Sequence, residues 1–460
     1  MKLIIQQICR EMLEKIVETV LEHGPNIEKL TPEVLSITNK GGIQIIEQLL
    51  AAADEVMFQD KSERRKGNWV VERRGDCRTI MTQMGAIRYH RTYYHNKQTN
   101  EYKYLTDEIV GVLPYARVGT ALSKELVRRS RHESYHLASE NSCDGQVSKQ
   151  TVMNKIRKAK PVIDIPAEKR IVPELHIDAD EDHVALQDQR HKGGAIVPLV
   201  SVYEGVEQIG TRKHCKNVFH ISSYHQDPDA LWEEVLTRIE QRYDVSDTKI
   251  YLHGDGAAWI AKGMEWLPRA TFVLDAYHKN KYMKQMLAGY EAGKLPQLRK
   301  DVEQALNDMD EDYFANIVEL LTAYSPERKE KIQEAAAYLR GHMADIAIRA
   351  TDPAARNGGA TEPHVSHVLS ARLSSRPKGW SEKTLQFFTP ILANGPKVTM
   401  EANEPTSLSP IVLRAMREIK RTYLHRKTSS PWQSSLQITQ SGKRTELYKA
   451  LQGVIHNRDH

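Results

Sequence analysis

The stretch from Glu174 to Leu274 most limits the folds open to this chain. Three short runs rich in aliphatic and β-branched residues follow one another with only turns between them: Glu174 to Leu186, Ala195 to Tyr203, and Val218 to Ser222. Helices and strands then alternate. An amphipathic helix runs from Asp229 to Tyr243, capped by Asp227 or Asp229, and a strand from Lys249 to His253. A helix from Ala257 to Trp266, a strand from Thr271 to Leu274 and a helix from Tyr277 complete the series. Strands joined by tight turns pair antiparallel, whereas strands separated by helices pair parallel. The order β-β-β-α-β-α-β-α therefore predicts an α/β fold built on one mixed sheet covered by helices.

At 460 residues the chain is too long for one ordinary domain. Residues 1–66 read as a helical region, with Ile4, Ile5, Ile8, Met12, Ile16, Val20 and Leu21 near helical spacing and a second amphipathic run from Ile43 to Val56. Residues 67–160 read as a small antiparallel sheet followed by a helix-turn-helix-like region. The exposed sheet face could carry Arg88, His90 and Arg91 between tyrosines, an interleaving that suits nucleic acid. An ordinary solvated face explains it equally well. Helices at Thr120 to Arg131, Ser134 to Glu140 and Ser148 to Lys160 follow, with Gly145 in the last turn. Ser148 would cap the third helix, presenting Lys149, Gln150, Asn154 and Lys155 to a DNA groove. Many packed helical pairs share this pattern. After a linker at 161–166, residues 167–290 form the first part of the core and 291–355 a helical insertion. A late core helix at 356–385, starting at a Thr361 cap and running to Ser374, and a tail at 386–460 complete the chain.

Several function classes drop out. No apolar run is long enough to span a bilayer, and the opening Met1-Lys-Leu-Ile-Ile5 is broken by Gln6, Gln7, Arg10 and Glu11, unlike a signal peptide. Cys9, Cys77, Cys143 and Cys215 lie far apart with no CxxC, which excludes a zinc ribbon and argues against a disulfide framework. These features predict a cytoplasmic protein. No Walker loop, GxGxxG or GxSxG occurs, and His176, His183, His253 and His278 match no zinc spacing. The net charge of +5 is too mild to mark nucleic-acid binding alone.

Chemistry is concentrated at strand ends. Alternation along Leu175 to Leu186 puts Asp178, Asp180 and Asp182 on one face and Ile177, Ala179 and Glu181 on the other. Three same-face aspartates on a buried strand repel one another, and a hard divalent cation resolves this. Lys249-Ile-Tyr-Leu-His-Gly-Asp-Gly256 ends a strand with Asp255 at its C-terminal tip, where ligands of open α/β sheets gather. Asp255 could equally cap the next helix. Asp275 and His278 follow the next strand and are candidate accessory groups, as an acid/base pair, a structural pair or substrate contacts. The run Lys279 to Lys284 could hold phosphates. Glu362 falls in the first turn of a later helix, with Arg372 and Arg376 further along.

Jointly, these motifs resemble the DDE transposases of bacterial insertion sequences. The closest likeness is to the Lre-type group, formerly an uncharacterised protein family and similar to Mutator-like transposases. Its carriers are Ala179-Asp-Glu-Asp-His-Val-Ala-Leu-Gln187, His253-Gly-Asp-Gly-Ala-Ala-Trp-Ile260, Leu274-Asp-Ala-Tyr-His-Lys-Asn-Lys281 and His364 to Trp380. The stretches Met84 to Tyr94 and Ser134 to Glu140 also look like that group. The resemblance implies a ribonuclease H-like mixed-sheet core with an inserted all-α domain and an N-terminal α+β DNA-binding region. It also implies a catalytic, metal-binding triad, which falls on Asp180, Asp255 and Glu362, with Asp178 and Asp182 sharing the face of Asp180 and Asp178 an alternative or additional metal ligand. Two Mg²⁺ or Mn²⁺ ions about 4 Å apart would serve cleavage and strand transfer. The implied partners are double-stranded DNA, as terminal repeats and target, and a second copy when two ends synapse. The site would work in the bacterial cytoplasm, at the nucleoid when DNA is bound. Arg88, Arg91, Lys149, Gln150, Asn154, Lys155, Arg372 and Arg376 are the expected DNA contacts. An inactive transposase-derived regulator and a metal-dependent nuclease without strand transfer are the alternatives.

Overall fold

The N-terminal apolar spacing folds as paired helices in a computed structural model that describes residues 2–187, 194–224, 227–359, 361–376, 378–400 and 417. Met1–Ser123 with Glu140–Val147 form one compact unit, and Lys124–Ser139 with Ser148–Glu401 form another. In the first, α1 (Lys2–His23) and α2 (Ile27–Gln59) are followed by α3 (Lys61–Lys66). Strands β1 (Trp69–Thr82) and β2 (Gly85–Asn96) pair antiparallel, β3 (Tyr102–Lys103) adds to β2, and α4 (Leu105–Val110) follows. Two buried carboxylates tie this unit together. Asp54 accepts from the Thr92 amide (2.9 Å) and hydroxyl (2.7 Å), and Asp107 accepts from Arg78 (2.5 Å), Arg91 and the Tyr89 hydroxyl (2.8 Å). Each carboxylate spends its lone pairs on several donors, the condition for burying such a charge.

Helices α5 (Thr120–Ser130), α6 (Tyr135–Cys143) and α7 (Lys149–Ile156) come next. Ser148 caps α7 by accepting from the Thr151 amide (3.2 Å), as its sequence predicts. The helix ends earlier than Lys160, because β4 (Ala159–Pro161) leaves to pair with β14 (Val398–Met400).

The second unit carries the expected mixed sheet. After β5 (Arg170–Ile171) come β6 (Glu174–Val184), β7 (Ala195–Tyr203), a hairpin β8 (Val206–Ile209) and β9 (Arg212–Cys215), and β10 (Phe219–Ile221). Helix α8 (Pro228–Glu240), β11 (Tyr243–Asp244), β12 (Lys249–Gly254), α9 (Ala258–Ala261), α10 (Gly263–Trp266) and β13 (Ala270–Leu274) follow. The five-stranded order is β10-β7-β6-β12-β13, antiparallel on one side of β6 and parallel on the other. One face buries Leu175, Ile177, Val200, Ile250 and Leu252 against Leu231, Trp232, Val235 and Ile239 of α8. The helix expected over Ala257 to Trp266 is broken near Gly263. A Cβ there would lie 2.6 Å from the Trp232 ring, so the glycine lets the indole seat against the backbone.

Helix α11 (Ala276–Leu287) leads into four further helices, α12 (Leu295–Asn307), α13 (Glu311–Tyr324), α14 (Lys329–Gly341) and α15 (Met343–Thr351), where the sequence predicts a helical insertion. Its core joins Met283, Met286, Val302, Phe314, Leu321, Leu339 and Ile346 to Leu274 at the end of β13. The late helix is not continuous: α16 (Thr361–Val365), a π-turn at Ser366–Ser370 and α17 (Ala371–Leu373) replace it, and Thr361 is its first helical residue rather than a flanking cap. Helix α18 (Glu382–Ala393) crosses the expected boundary at 385; most of the tail beyond lies outside the described residues.

Candidate active site

Strand register brings the sequence-predicted carboxylates together. Parallel pairing sets His253 opposite Asp178 and Gly254 opposite Leu274. One step further along, Asp255 stands beside Asp180 on one side and Asp275 on the other, and the Asp275 amide donates to the Gly254 carbonyl (3.1 Å). Three acidic residues thus form a row that runs from the middle of β6 to the C-terminal ends of β12 and β13, on strands spaced about 5 Å apart.

Each is held differently. Asp255 closes a tight turn, its Oδ1 accepting from the Ala257 amide (2.8 Å). Gly256 follows at φ +86°, and a Cβ there would lie 2.5 Å from the His342 ring. The Tyr338 hydroxyl fixes the same turn by donating to the Asp255 carbonyl (2.7 Å). Asp275 caps α11: Oδ1 accepts from the His278 amide (2.9 Å) and Oδ2 from His278 Nδ1 (2.8 Å). Both of its oxygens therefore serve its own helix, which makes Asp275 and His278 a structural pair bordering the site. Burial opposes a charge on His278, but Asp275, then Asp255 and Asp180, outweigh it and raise its pKa. Asp180 is half-buried and accepts from the Glu181 amide (2.8 Å). Burial pushes its carboxyl up to about 6, with Asp255 and Asp275 adding to the rise while the Glu181 amide and His278 oppose it.

The other two aspartates of β6 are engaged elsewhere. Asp178 is buried, with both oxygens accepting from the Tyr203 hydroxyl (3.0 Å each) and Oδ1 from the Gly359 amide (3.2 Å). Asp182 is buried and accepts from the Ser374 hydroxyl (2.7 Å). Asp180 is the one that faces Asp255. Helix α16, which carries Glu362, packs beside β6. Pro363 sits in its first turn, where a missing N–H breaks no helical bond. The Glu362 side chain lies outside the described residues, and among those described no three His, Cys, Asp or Glu side chains gather around one metal position. Asp180 and Asp255 still have the chemistry a hard cation needs: adjacent carboxylates, one of them kept from ionising easily by burial.

Sequence spacing gave no hint of a second cluster under the sheet. His176 and His253 are fully buried with ring nitrogens 3.1 Å apart, and Tyr251 stacks on His176 at 5.2 Å between centroids. His364 bridges towards Asp178 (3.7 Å) and Cys215 (3.5 Å), and His220 meets the Ser201 hydroxyl (2.8 Å). Burial lowers all four imidazoles, His364 to about 4 and His220 to about 3. The only signal available was that His176 shares the face of Asp178 and that His253 is its register partner. Gly358 closes the cluster: a Cβ there would lie 2.2 Å from His253 and 2.5 Å from His176. Gly358→Ala is therefore expected to cost about 1–3 kcal/mol by overpacking. Thermal unfolding checks this, and an unchanged midpoint would refute it.

The model of the Uncharacterised protein family (UPF0236) matches residues 20–399. The chain belongs to this family. A UPF0236 protein of Caldanaerobacter subterraneus subsp. tengcongensis is 37% identical over 395 residues, 84% of this chain and 83% of the relative. A second from the same organism is 37% identical over 384 residues, 82% of this chain and 79% of the relative, and its name joins eleven locus labels. Within this family member the expected DNA contacts divide. Arg88, Lys149, Gln150, Asn154 and Arg376 are exposed. Arg91 is instead paired with Asp107, and Arg372 is buried, donating to the Ser130 carbonyl (2.6 Å) with its guanidinium 4.7 Å from the Trp380 ring. Neither presents its charge to solvent, so both leave the set of DNA contacts. Lys155 is half-buried, and burial lowers its ammonium pKa. No helix among the described residues is long and apolar enough to cross a membrane.

Proposed function

We propose that this chain is a DNA transposase that cleaves the ends of an insertion sequence and joins them to target DNA. The observation that carries this reading is the pair Asp180, midway along β6, and Asp255, at the tip of the adjacent parallel strand β12, beside the helix bearing Glu362. The strand order β10-β7-β6-β12-β13 supports a ribonuclease H-like core, with the helical insertion placed between the second and third carboxylates. The relative whose name joins eleven locus labels of one genome supports it independently, because mobile elements multiply within a genome.

Asp180, Asp255 and Glu362 would hold two Mg²⁺ or Mn²⁺ ions, which when bound supply Lewis-acid stabilisation of the phosphoryl charge. The chain's own residues do the rest. The turn at Gly256 lets the His342 ring pack against the backbone, and the Ala257 and Tyr338 bonds fix Asp255 in place. His278, anchored by Asp275, directs positive charge at the carboxylate row and offsets the approach of a phosphate. Water attacks the phosphodiester and the P–O3′ bond breaks, leaving a 5′-phosphate and a free 3′-hydroxyl. That hydroxyl then attacks a target phosphodiester at the same site, a new P–O3′ bond forms as the target's own P–O3′ bond breaks, and a target 3′-hydroxyl leaves, without a covalent protein–DNA intermediate. The exposed face of α7, with Lys149, Gln150 and Asn154, is the proposed reader of the terminal repeats, and two copies would synapse two ends.

The test is incubation of the purified chain with duplexes carrying the element's own ends, target DNA and Mg²⁺ or Mn²⁺. Nicked ends followed by joined products are expected. Cutting without joining would replace this reading with a nuclease, and binding without cutting would replace it with a regulator.

A further inference from the structure

The charge of the run that follows Asp275 is not used by the reaction above. Lys279, one turn beyond Asp275 on α11, lines a cleft of about 350 Å³ with Arg349, Arg356 and Asn307, floored by Leu274 and Ile346. Lys279 and Arg349 are half-buried, and among the described residues neither side chain has a hydrogen bond or an ion pair. Nη1 of Arg349 is fully buried without a partner. Arg356 adds a third cation at the rim, its guanidinium fixed by the Arg349 (2.6 Å) and Ala350 (2.9 Å) carbonyls at the end of α15. The acidic groups nearby are committed: Glu303 to Arg299 (3.4 Å), Asp275 to His278, and Asp178 to Tyr203. Burial weakens the charged forms of both: for Lys279, Glu303 offsets this in part while Arg349 and Arg299 add to it, and for Arg349, Tyr203, Asp178 and Asp275 offset it in part while Arg356 adds to it.

Two half-buried cations without a directly bonded anion, their nearby carboxylates being committed to other donors, remain costly, and an oxyanion between them removes the cost. An ammonium, a guanidinium fork and an amide around one cavity suit a tetrahedral anion with several acceptor oxygens. We propose that the cleft formed by Lys279, Arg349, Arg356 and Asn307 binds a phosphate group, supplied by the DNA backbone as it leaves the carboxylate row. The identity of the donor rests on the transposase reading; the anion site itself does not.

The experiment uses the full chain as wild type, as Lys279→Gln/Arg349→Gln and as Lys279→Arg. Duplex binding is followed by fluorescence anisotropy from 50 to 200 mM salt, and thermal unfolding is measured with inorganic phosphate and pyrophosphate. The double variant is expected to bind duplex about tenfold more weakly, with a salt slope lower by about one. Phosphate is expected to raise the melting midpoint of wild type and of Lys279→Arg but not of the double variant. Without phosphate the double variant should melt no lower than wild type, because it loses two unpaired charges. Phosphate stabilisation with unchanged duplex binding would keep the site and assign it a free phosphate or nucleotide. Unchanged affinity, slope and phosphate response would overturn the proposal. The phosphate arm needs neither cleavage nor metal, so a chain that responds to phosphate but never cuts DNA would sink the transposase reading alone.

Discussion

Asp180→Asn and Asp255→Asn are each expected to abolish end cleavage and strand transfer, by on the order of 10³-fold or more, or about 4 kcal/mol in the barrier. Duplex binding should survive in both. Asparagine keeps the shape and the oxygen that accepts from Glu181 or Ala257, so the local turns stay intact while the anionic charge is lost. The neighbouring aspartates sharpen the test. Asp178 is spent on Tyr203 and Gly359, and Asp182 on Ser374, so Asp178→Asn and Asp182→Asn should lose stability but keep activity within about tenfold. A second readout needs no DNA. Mn²⁺ should raise the melting midpoint of wild type and leave that of Asp180→Asn unmoved. Full activity in Asp180→Asn with none in Asp178→Asn would transfer the role along the strand and undo the site described above.

The Asp180–Asp255 pairing was legible because it depends on local signals. Alternation on one strand and a Gly-Asp-Gly at the tip of another both survive in a linear reading, and β-β-β-α-β-α-β gives the strand directions. What was not legible depends on register and on distant partners. Asp275 joins the row only because β13 pairs with β12 in one specific register. Arg91 looks like any strand arginine until Asp107, from α4, turns it inward. Arg372 lies on an amphipathic helix like an exposed cation, yet Trp380 and Phe388 cover it and Ser130 accepts its Nε–H. The histidine cluster needs Gly358, far along the chain from both His176 and His253, to leave room for two rings.

That cluster leads to the second large effect. Lowering the pH from 7.5 to 5.5 is expected to remove a large part of the folding free energy of the second unit. His176 and His253 are buried and His220 and His364 half-buried, and burial holds each below its ordinary value of 6.5. Above 6.5 they are neutral in both states and cost nothing. Below it the unfolded chain takes up protons that the folded chain refuses, so stability is lost as the pH falls from 6.5 towards about 4 for His364 and about 3 for His220. Asp180, raised to about 6 by burial, Asp182, also raised by burial, and His278, raised by Asp275, act in the opposite sense. They take up protons in the folded state within the window and offset part of the loss; each proton of net uptake on unfolding that remains costs about 1.4 kcal/mol per pH unit, so that two would cost about 3 kcal/mol. Against a total of about 5–15 kcal/mol, that is enough to unfold a marginal protein. Chemical denaturation at half-unit pH steps measures it. His364→Gln should flatten the slope by about one proton, and Asp180→Asn should steepen it below pH 6 by removing the offsetting carboxyl. A stability that stays level between pH 7.5 and 5.5 would mean that these imidazoles reach solvent, and the packing of Gly358 against His176 and His253 would be wrong with it.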